Sequence, residues 1–315
     1  MASAKPDFAL PPQTVLHARY LLGDTLGGGA LGITYRAVQL DAPARGRVVA
    51  VKEFFPRALA VRAADGSVQP MPKGAADFAL YCARFVRGYR FLRAKANCPA
   101  LVPLLDLFEQ NGTAYVVMAY IEGETLEERV KAHGAIPPRA LMRMMRPFLH
   151  DLAALHQRKI IHRAIMPRNI LLRGENPPML LDFGGARPED DWPLRRCPVL
   201  RGRGYLPPEQ ICQSRQGSWT DVYALCATMY YALTAKEPAD ALERLFAAKT
   251  GKDDPLVSIR TLCPKLPRKQ ADALMAGLSL DSAARPADFA ALESALYGSK
   301  IPHFAFRIPN WCARK

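Results

Sequence analysis

The sequence predicts an α+β fold, with strands concentrated in the first third of the chain and helices in the rest. Residues 17–40 alternate apolar and polar side chains around a glycine cluster, as half-buried strands joined by a turn do. Later segments place apolar residues at helical spacing, for example over residues 141–157. Residues 222–235 form an uncharged run of 14 residues, too short to span a bilayer, which we interpret as a buried helix.

Length, composition and charge limit the class of protein. The chain has 315 residues, half of them hydrophobic, which suits one large or two modest domains with a sizeable core. The formal net charge of +14 favours acidic partners, nucleic acid or an anionic membrane surface. Because the basic residues are dispersed, we favour a solvated basic surface. We expect no specific nucleic-acid recognition, and acidic protein partners stay open.

The cysteines and the N-terminus indicate a cytoplasmic protein. Seven cysteines, an odd number without a C-x-x-C pair, are typical of reduced thiols. The N-terminal residues lack an apolar core of signal-peptide length. We expect residues 1–18 to be a flexible lead and the chain to have no transmembrane segment.

Two N-terminal segments carry candidate phosphate-binding groups. Gly27, Gly29 and Gly32 form G-x-G-x-x-G between two predicted strands, whereas a dinucleotide-binding fingerprint needs a helix directly afterwards. Such a hairpin lets backbone amides approach phosphates, although glycine hairpins also occur for purely structural reasons. The next strand, VVAVKEFFP, contains Lys52 among apolar residues. A lysine in that setting is otherwise an edge residue whose ammonium reaches solvent.

Residues 161–184, IHRAIMPRNILLRGENPPMLLDFG, contain the most informative pattern of the chain. An apolar run leads to His-Arg, and a polar loop then ends at Asn169 before a short strand. We predict a turn built from Gly174, Asn176 and two prolines, followed by a paired strand that leads to Asp182-Phe183-Gly184.

In this order and spacing, the motifs resemble the protein kinase family over residues 19–296. The KEFFP continuation resembles a bacterial serine/threonine kinase group in particular. The resemblance implies a bilobal protein-kinase-like fold with a small β-rich N-lobe over 19–121 and a larger helical C-lobe over 122–297. Residues 298–315 would form a C-terminal tail, which we expect to pack on the C-lobe or to stay mobile.

The resemblance also implies a site for ATP and Mg²⁺. Thr34 and Ala50 would cap the adenine, Lys52 would reach the α- and β-phosphates, and Met118 would be the gatekeeper before a hinge over residues 119–121. The implied nucleotide-binding residues are Gly27, Gly29, Gly32, Thr34, Ala50, Lys52, Met118, Ala119, Ile121 and Leu171. The implied metal ligands are Asn169 and Asp182.

The catalytic loop departs from the family pattern. In the family it reads His-Arg-Asp-x-Lys-Pro-x-Asn, and the Asp accepts the proton of the substrate hydroxyl. Here Ala164 stands at the Asp position and Met166 at the Lys position, and neither can accept a proton or carry a charge. The family threonine that hydrogen-bonds both of these residues is Gly202. We therefore expect no catalytic residue at these three positions.

A fourth departure concerns the helix that follows the lysine strand. Residues 77–95 have helical apolar spacing and correspond to the αC helix of the family, which supplies a glutamate partner for the strand lysine. Between Phe78 and Asn97 there is no acidic residue, and the glutamate position falls at or near Gly88 or Tyr89. We therefore predict that Lys52 pairs with Asp182 or stands free.

The architectural residues of the family are retained. Asp221 is positioned to brace the catalytic-loop backbone, and Glu209 with Arg285 matches a buried ion pair. Residues 182–210 contain no Ser or Thr, so Tyr205 is the only hydroxyl there that could be phosphorylated, and we expect its ring to pack. Arg163 would then be held by Glu189, Asp190 or Asp191.

We therefore predict a pseudokinase that binds ATP and acts as a scaffold or regulator through protein partners. Two alternatives stay open. One is a weakly active or atypical serine/threonine kinase, and the other is a transferase that moves a different group, such as AMP, from the same nucleotide site.

Overall fold

The structure is a computed structural model that describes residues 8–42, 46–95, 98–183, 185–189 and 202–298. It confirms the predicted α+β fold with a β-rich N-lobe and a helical C-lobe. The N-lobe contains a six-stranded antiparallel sheet in the order β1-β2-β3-β4-β8-β7, a small β5-β6 hairpin and one long helix. These elements are β1 Val15–Leu16, β2 Tyr20–Gly28, β3 Gly32–Gln39, β4 Arg47–Phe54, β5 Ala60–Arg62, β6 Val68–Pro70, α1 Ala75–Lys95, β7 Leu104–Gln110 and β8 Thr113–Ala119.

Local sequence explains how these elements begin and turn. The β7-β8 hairpin turns at Asn111 and Gly112, which have φ angles of 53° and 71°. An Asn-Gly pair favours these left-handed values, so the predicted hairpin is confirmed. Phe78 and Phe85 of α1 pack their rings on Phe54 at the end of β4, which fixes the helix against the sheet.

Residues 8–18 do not behave as the predicted flexible lead. Leu10 and Leu16 are buried in the N-lobe core, and the ring of Phe8 stacks on that of Phe55 at 5.4 Å between centroids. The backbone also pairs with β2 through β1. A few apolar side chains with places in the core are enough to order this short segment.

The C-lobe consists of helices around a buried central helix, with short strands next to the N-lobe. The strands are β9 Glu124–Thr125, β10 Ile160–Ile161, β11 Ile170–Arg173, β12 Asn176–Leu180 and β13 Arg187–Pro188. The helices are α2 Leu126–His133, α3 Pro138–Gln157, α4 Pro208–Ile211, α5 Ser218–Thr234, α6 Ala241–Lys249, α7 Ile259–Leu262, α8 Arg268–Gly277 and α9 Phe289–Tyr297. Nearly every residue of α5 is buried, so the uncharged run is a buried core helix as predicted.

One turn differs from its prediction. Asn176, Pro177 and Pro178 belong to strand β12, and the turn before them is built from Gly174 and Glu175. The three-stranded sheet has the order β12-β11-β9, so β12 is an edge strand. Prolines are tolerated at a sheet edge because their missing N–H groups are not needed for pairing.

A buried ion pair joins the α4 region to the end of the C-lobe, as predicted. Arg285 donates two hydrogen bonds to Glu209, at 2.7 and 3.1 Å. Both residues are buried, and Thr220 of α5 donates a further hydrogen bond to Glu209 at 2.9 Å. The pair therefore ties three separate parts of the lobe together.

Two further findings concern the described ranges only. None of their helices combines the length and the apolar character needed to cross a membrane. Their cysteines, which are Cys82, Cys98, Cys212, Cys226 and Cys263, are all free thiols. The predicted C-terminal tail, residues 298–315, lies outside the described residues except for Gly298.

Candidate nucleotide site and catalytic loop

The glycine loop joins β2 to β3 and covers the lysine strand. A Cβ at Gly32 would lie 2.3 Å from the carbonyl oxygen of Glu53 and 3.7 Å from Cε of Lys52, so only glycine fits there. Gly29 donates a backbone hydrogen bond to the Gly32 carbonyl at 2.8 Å. No atom lies within 4 Å of a Cβ placed at Gly27, so that part of the loop is open. The loop backbone therefore approaches Lys52 closely and leaves room above it.

The strand register brings the other predicted nucleotide contacts onto one sheet. Thr34 lies opposite Lys52, and Ala50 lies opposite Met118 at the end of β8. The predicted hinge follows directly, with Ala119 buried and Ile121 half-buried. Leu171 on β11 is buried, and its side chain lies within 3.2 Å of a Cβ placed at Gly123, just beyond the hinge. The register thus brings Thr34, Lys52, Ala50 and Met118 onto neighbouring strands of one sheet.

Lys52 and Asp182 form an ion pair, the first of the two predicted outcomes. The ammonium of Lys52 contacts Oδ1 of Asp182, and the two side chains are 12% and 36% exposed. Burial lowers the pKa of Lys52, but the Asp182 carboxylate and Tyr89 together outweigh it, so that the pKa lies above its ordinary value. The lysine is therefore held as a cation.

Tyr89 occupies the place beside Lys52 where the family has a glutamate. Of the two candidate positions, Gly88 packs its backbone near Ala186, whereas the Tyr89 side chain lies next to Lys52 and Asp182. Burial raises the pKa of Tyr89 to about 12, so this group is neutral. The buried phenol of Tyr89 therefore stands where the family has a glutamate carboxylate.

Asn169 is oriented to offer an oxygen ligand. Its side-chain nitrogen donates to the Ala164 carbonyl at 2.8 Å, which leaves the amide oxygen for another partner. Carboxylate and amide oxygens suit Mg²⁺, which is commonly held by one or two protein groups together with substrate phosphates. Asn169 and Asp182 fit that role. Among the described residues, no cluster of three His, Cys, Asp or Glu side chains could hold a metal alone.

Two of the three replaced family positions, Met166 and Gly202, lie next to each other in the structure. Cε and Sδ of Met166 lie 3.6 and 3.7 Å from a Cβ placed at Gly202, and Met166 is buried. Ala164 lies two residues before Met166 on the same loop and receives the Asn169 hydrogen bond through its carbonyl. The place where the family has a proton acceptor and its two supporting groups is therefore occupied by a methyl group, a thioether and a bare glycine backbone.

Asp221 braces the catalytic-loop backbone, as predicted. Its two carboxylate oxygens accept the backbone N–H groups of His162 and Arg163, each at 2.6 Å. Burial opposes its ionisation, but hydrogen bonds from the loop and from His156 at 3.2 Å lower the pKa of Asp221 below its ordinary value. His156 accepts the backbone N–H of Phe289 on Nδ1, so Nε2 carries the proton toward Asp221. The loop is held even though its chemical groups are gone.

His162 lies in the core behind the loop. It is 1% exposed, and its ring meets Phe183 edge-on at 5.6 Å between centroids. Neither ring nitrogen has a hydrogen-bond partner among the described residues. Burial lowers the pKa of His162, so the ring is neutral and acts as a packing group.

The segment after Asp182 is described only in part. Tyr205 is 5% exposed and meets Tyr231 edge-on, so its ring packs as predicted. Arg163 donates to the Gln216 side chain at 2.6 Å, and Glu189 accepts from the Ser218 backbone at 3.3 Å. The predicted contacts of Arg163 with Asp190 and Asp191 lie outside the described residues.

A polar network in the N-lobe was not predicted. Glu53, which follows Lys52 in the KEFFP motif, is fully buried and accepts two hydrogen bonds from Arg62 at 2.9 and 2.5 Å. Tyr35 and Tyr115 donate to the same carboxylate at 2.9 and 2.7 Å. Strand alternation places Lys52 and Glu53 on opposite faces, and a charged residue in an apolar strand could have indicated this network.

Comparison with known proteins agrees with this geometry. A model of the protein kinase domain matches residues 20–277. The chain belongs to the protein kinase family. A solved kinase-fold structure described as the apo form of PpkA-294 has a TM-score of 0.76 with this chain. It is 25% identical, and the match covers 92% of this chain and all of that one.

Among curated members of the protein kinase family, similar sequences are named as bacterial serine/threonine kinases. PknA of Nostoc sp. is 30% identical over 236 residues, which is 72% of this chain and 39% of PknA. PknL of Mycobacterium tuberculosis is 31% identical over 71% of this chain and 51% of PknL. The kinase named pkn2 of Myxococcus xanthus is 31% identical over 94% of this chain and 34% of pkn2. The chain thus spans about half or less of the length of these relatives.

Proposed function

We propose that this protein kinase family member is a pseudokinase that binds ATP with Mg²⁺, does not transfer phosphate, and acts as a scaffold or regulator through protein partners. The observation that carries the proposal is that Met166 lies next to Gly202, on the same loop as Ala164. Ala164, Met166 and Gly202 stand where the family has a proton acceptor and its two supporting groups, and they offer only apolar side-chain atoms or none. No other observation bears as directly on the chemistry of the loop.

The nucleotide part of the proposal rests on groups that need no proton acceptor. Lys52 is held as a cation below the glycine loop, and Asn169 and Asp182 present oxygens on the facing lobe. Lys52 would bind phosphate oxygens, Asn169 and Asp182 would hold the metal, and the strand ends at Ala50 and Met118 would border the adenine. The metal, when bound, would neutralise phosphate charge.

Loss of transfer follows from the combination of replacements. A general base contributes about 10²–10⁴ to the rate, so its absence alone would leave a weak enzyme. Phosphoryl transfer depends mainly on positioning and electrostatics. Here the groups that would orient and support a base are missing as well. Residues that act as one unit fail together, which favours loss of transfer over partial loss.

A weakly active or atypical serine/threonine kinase, or another phosphoryl or nucleotidyl transferase, is the second candidate. The observation that favours it is the retained arrangement of Lys52, Asn169 and Asp182 in a chain whose named relatives are kinases. Such an enzyme would work by positioning the nucleotide without a protein base. It differs from the pseudokinase in one measurable respect, which is transfer of a group from ATP.

The partners in this proposal are proteins. The net charge of +14 would favour an acidic partner surface through long-range attraction. The partner-binding role needs only a folded kinase scaffold, which Asp221 and the Glu209–Arg285 pair stabilise without taking part in chemistry.

The test of nucleotide binding is a thermal-shift titration with ATP, with and without Mg²⁺. At about a hundredfold excess over Kd, binding adds about 2.7 kcal/mol to the free energy of unfolding, which raises the melting temperature. The doubly substituted variant Lys52→Ala, Asp182→Ala should lose the shift. Lys131→Ala on the exposed face of α2 is the matched control and should keep it. A melting temperature unchanged by millimolar ATP and Mg²⁺ would disprove nucleotide binding.

A further inference from the structure

Tyr89 places a buried hydroxyl beside Lys52 in the candidate nucleotide site. The residue is 2% exposed, and its ring packs on Phe85 at 4.7 Å and meets Phe183 edge-on at 6.3 Å between centroids. Its hydroxyl makes no hydrogen bond of normal geometry among the residues that the structure describes, although Lys52 and the backbone of Phe183 lie beside it. Buried hydroxyl groups are nearly always hydrogen-bonded, so these two neighbours are its candidate partners.

The neighbours of this hydroxyl are the two charged groups of the candidate nucleotide site. Lys52 and Asp182 both lie close enough for their charges to act on Tyr89. Lys52 forms an ion pair with Asp182, and its side chain lies below the glycine loop at Gly32. A phenol oxygen can accept a hydrogen bond from an ammonium group, so Tyr89 is a second acceptor within the same pocket.

We infer that Tyr89 is a positioning residue for bound nucleotide, and that its hydroxyl accepts a hydrogen bond from Lys52 once Asp182 turns toward the metal. The inference rests on the proposed nucleotide binding. Asp182 is both the present partner of Lys52 and a candidate metal ligand, so its carboxylate is shared between two cations when the site is loaded. Weakening the ion pair of a buried ammonium group costs free energy, and a hydrogen bond to the Tyr89 hydroxyl would offset part of that cost.

The arrangement has a consequence for the unliganded protein. The hydroxyl makes no hydrogen bond of normal geometry there, so removing it should cost little stability. The Tyr89 ring, in contrast, fills the space between α1 and Phe183 and has to be kept. Tyr89→Phe therefore separates the two roles, because it keeps the ring and removes only the oxygen.

The experiment measures Kd for Mg·ATP and for adenosine by calorimetry, together with the melting temperature without ligand. We expect Tyr89→Phe to bind Mg·ATP about three- to tenfold more weakly than the wild type, the size of one hydrogen bond. Adenosine has no phosphate for Lys52 to bind, so its Kd should stay within about twofold. The melting temperature should be unchanged or higher. Tyr81→Phe, two turns earlier on α1, is the matched control and should bind both ligands like the wild type.

Three results would overturn the inference. Mg·ATP binding that is unchanged in Tyr89→Phe would show that the hydroxyl has no positioning role. An equal loss of affinity for ATP and adenosine, or a lowered melting temperature, would show a merely structural role. A wild-type chain that binds no ATP would instead remove the proposed nucleotide binding, and the inference with it, so the two failures are distinguishable.

Discussion

Restoring the missing proton acceptor tests whether the catalytic loop has one defect or several. In Ala164→Asp the new carboxylate would stand where the family has its base. A base is worth about 10²–10⁴ in rate, or about 3–5 kcal/mol of barrier, if everything else is in place. The new carboxylate would still lack the family lysine and threonine, because Met166 and Gly202 stand at their positions. We therefore expect phosphate transfer by the single variant to stay near background.

The structure also limits what further repair can achieve. Gly202 has a φ angle of +83°, and a Cβ there would lie 3.3 Å from Cδ2 of Tyr205. A β-branched residue in this region of φ costs about 1–3 kcal/mol, so Gly202→Thr strains the backbone that it should help to order. Met166→Lys would place an ammonium group at a buried position, which lowers its pKa and weakens its charge. The double variant Ala164→Asp, Met166→Lys should gain less than about tenfold, and adding Gly202→Thr should lower the melting temperature.

The assay for this series is transfer of labelled γ-phosphate to the chain itself and to a general protein substrate. Each variant is compared with its own Asp182→Ala derivative, which removes the metal ligand and sets the background. The reasoning would be refuted if Ala164→Asp alone raised transfer a hundredfold above the wild type. That result would mean that the site was otherwise intact.

The remaining predictions concern stability and pH. Arg285→Ala should lower the free energy of unfolding in urea by about 3–5 kcal/mol, because it leaves Glu209 buried without its partner. Replacing both residues by leucine should lower it less, and an equal or greater loss in that double variant would contradict the prediction. Glu53→Ala should lower the free energy of unfolding by a similar amount, because Arg62 loses its buried acceptor. A decrease of less than about 1 kcal/mol would show that the network does not stabilise the fold. His162 has a lowered pKa in the folded state, so protonation of the unfolded chain should reduce stability as pH falls below about 6.5. His162→Leu should make the melting temperature depend less on pH between about pH 7 and 5.5. A pH dependence equal to that of the wild type would count against a buried neutral imidazole at His162.

The parts of the fold that the sequence could predict are those whose residues form a fixed family pattern. The ion pair of Lys52 with Asp182 was one of two outcomes expected from the motifs and from the lack of acidic residues between Phe78 and Asn97. The bracing of the catalytic loop by Asp221 and the burial of α5 followed in the same way. In each case a short motif or a run of one residue type identifies both the element and its role.

The parts that could not be predicted depend on contacts between distant residues. The Glu53 network joins side chains separated by up to 62 positions, and a local pattern marks only Glu53, a charged residue in an apolar strand. The role of Tyr89 depends on which of two neighbouring residues, Gly88 or Tyr89, faces Lys52, and the sequence left both open. The flexible lead predicted over residues 1–18 does not fit residues 8–18, because Leu10 and Leu16 are buried in the N-lobe core.

The most direct measurement of the central claim is phosphate transfer by the unmodified chain. Wild type and Asp182→Ala are incubated with labelled ATP and Mg²⁺ at concentrations that saturate the thermal shift, and label in protein is counted over hours. The pseudokinase proposal predicts a thermal shift in the wild type together with equal, background labelling in both proteins. Labelling in the wild type that exceeds the Asp182→Ala background and is lost again in Lys52→Ala would contradict it and identify a working kinase.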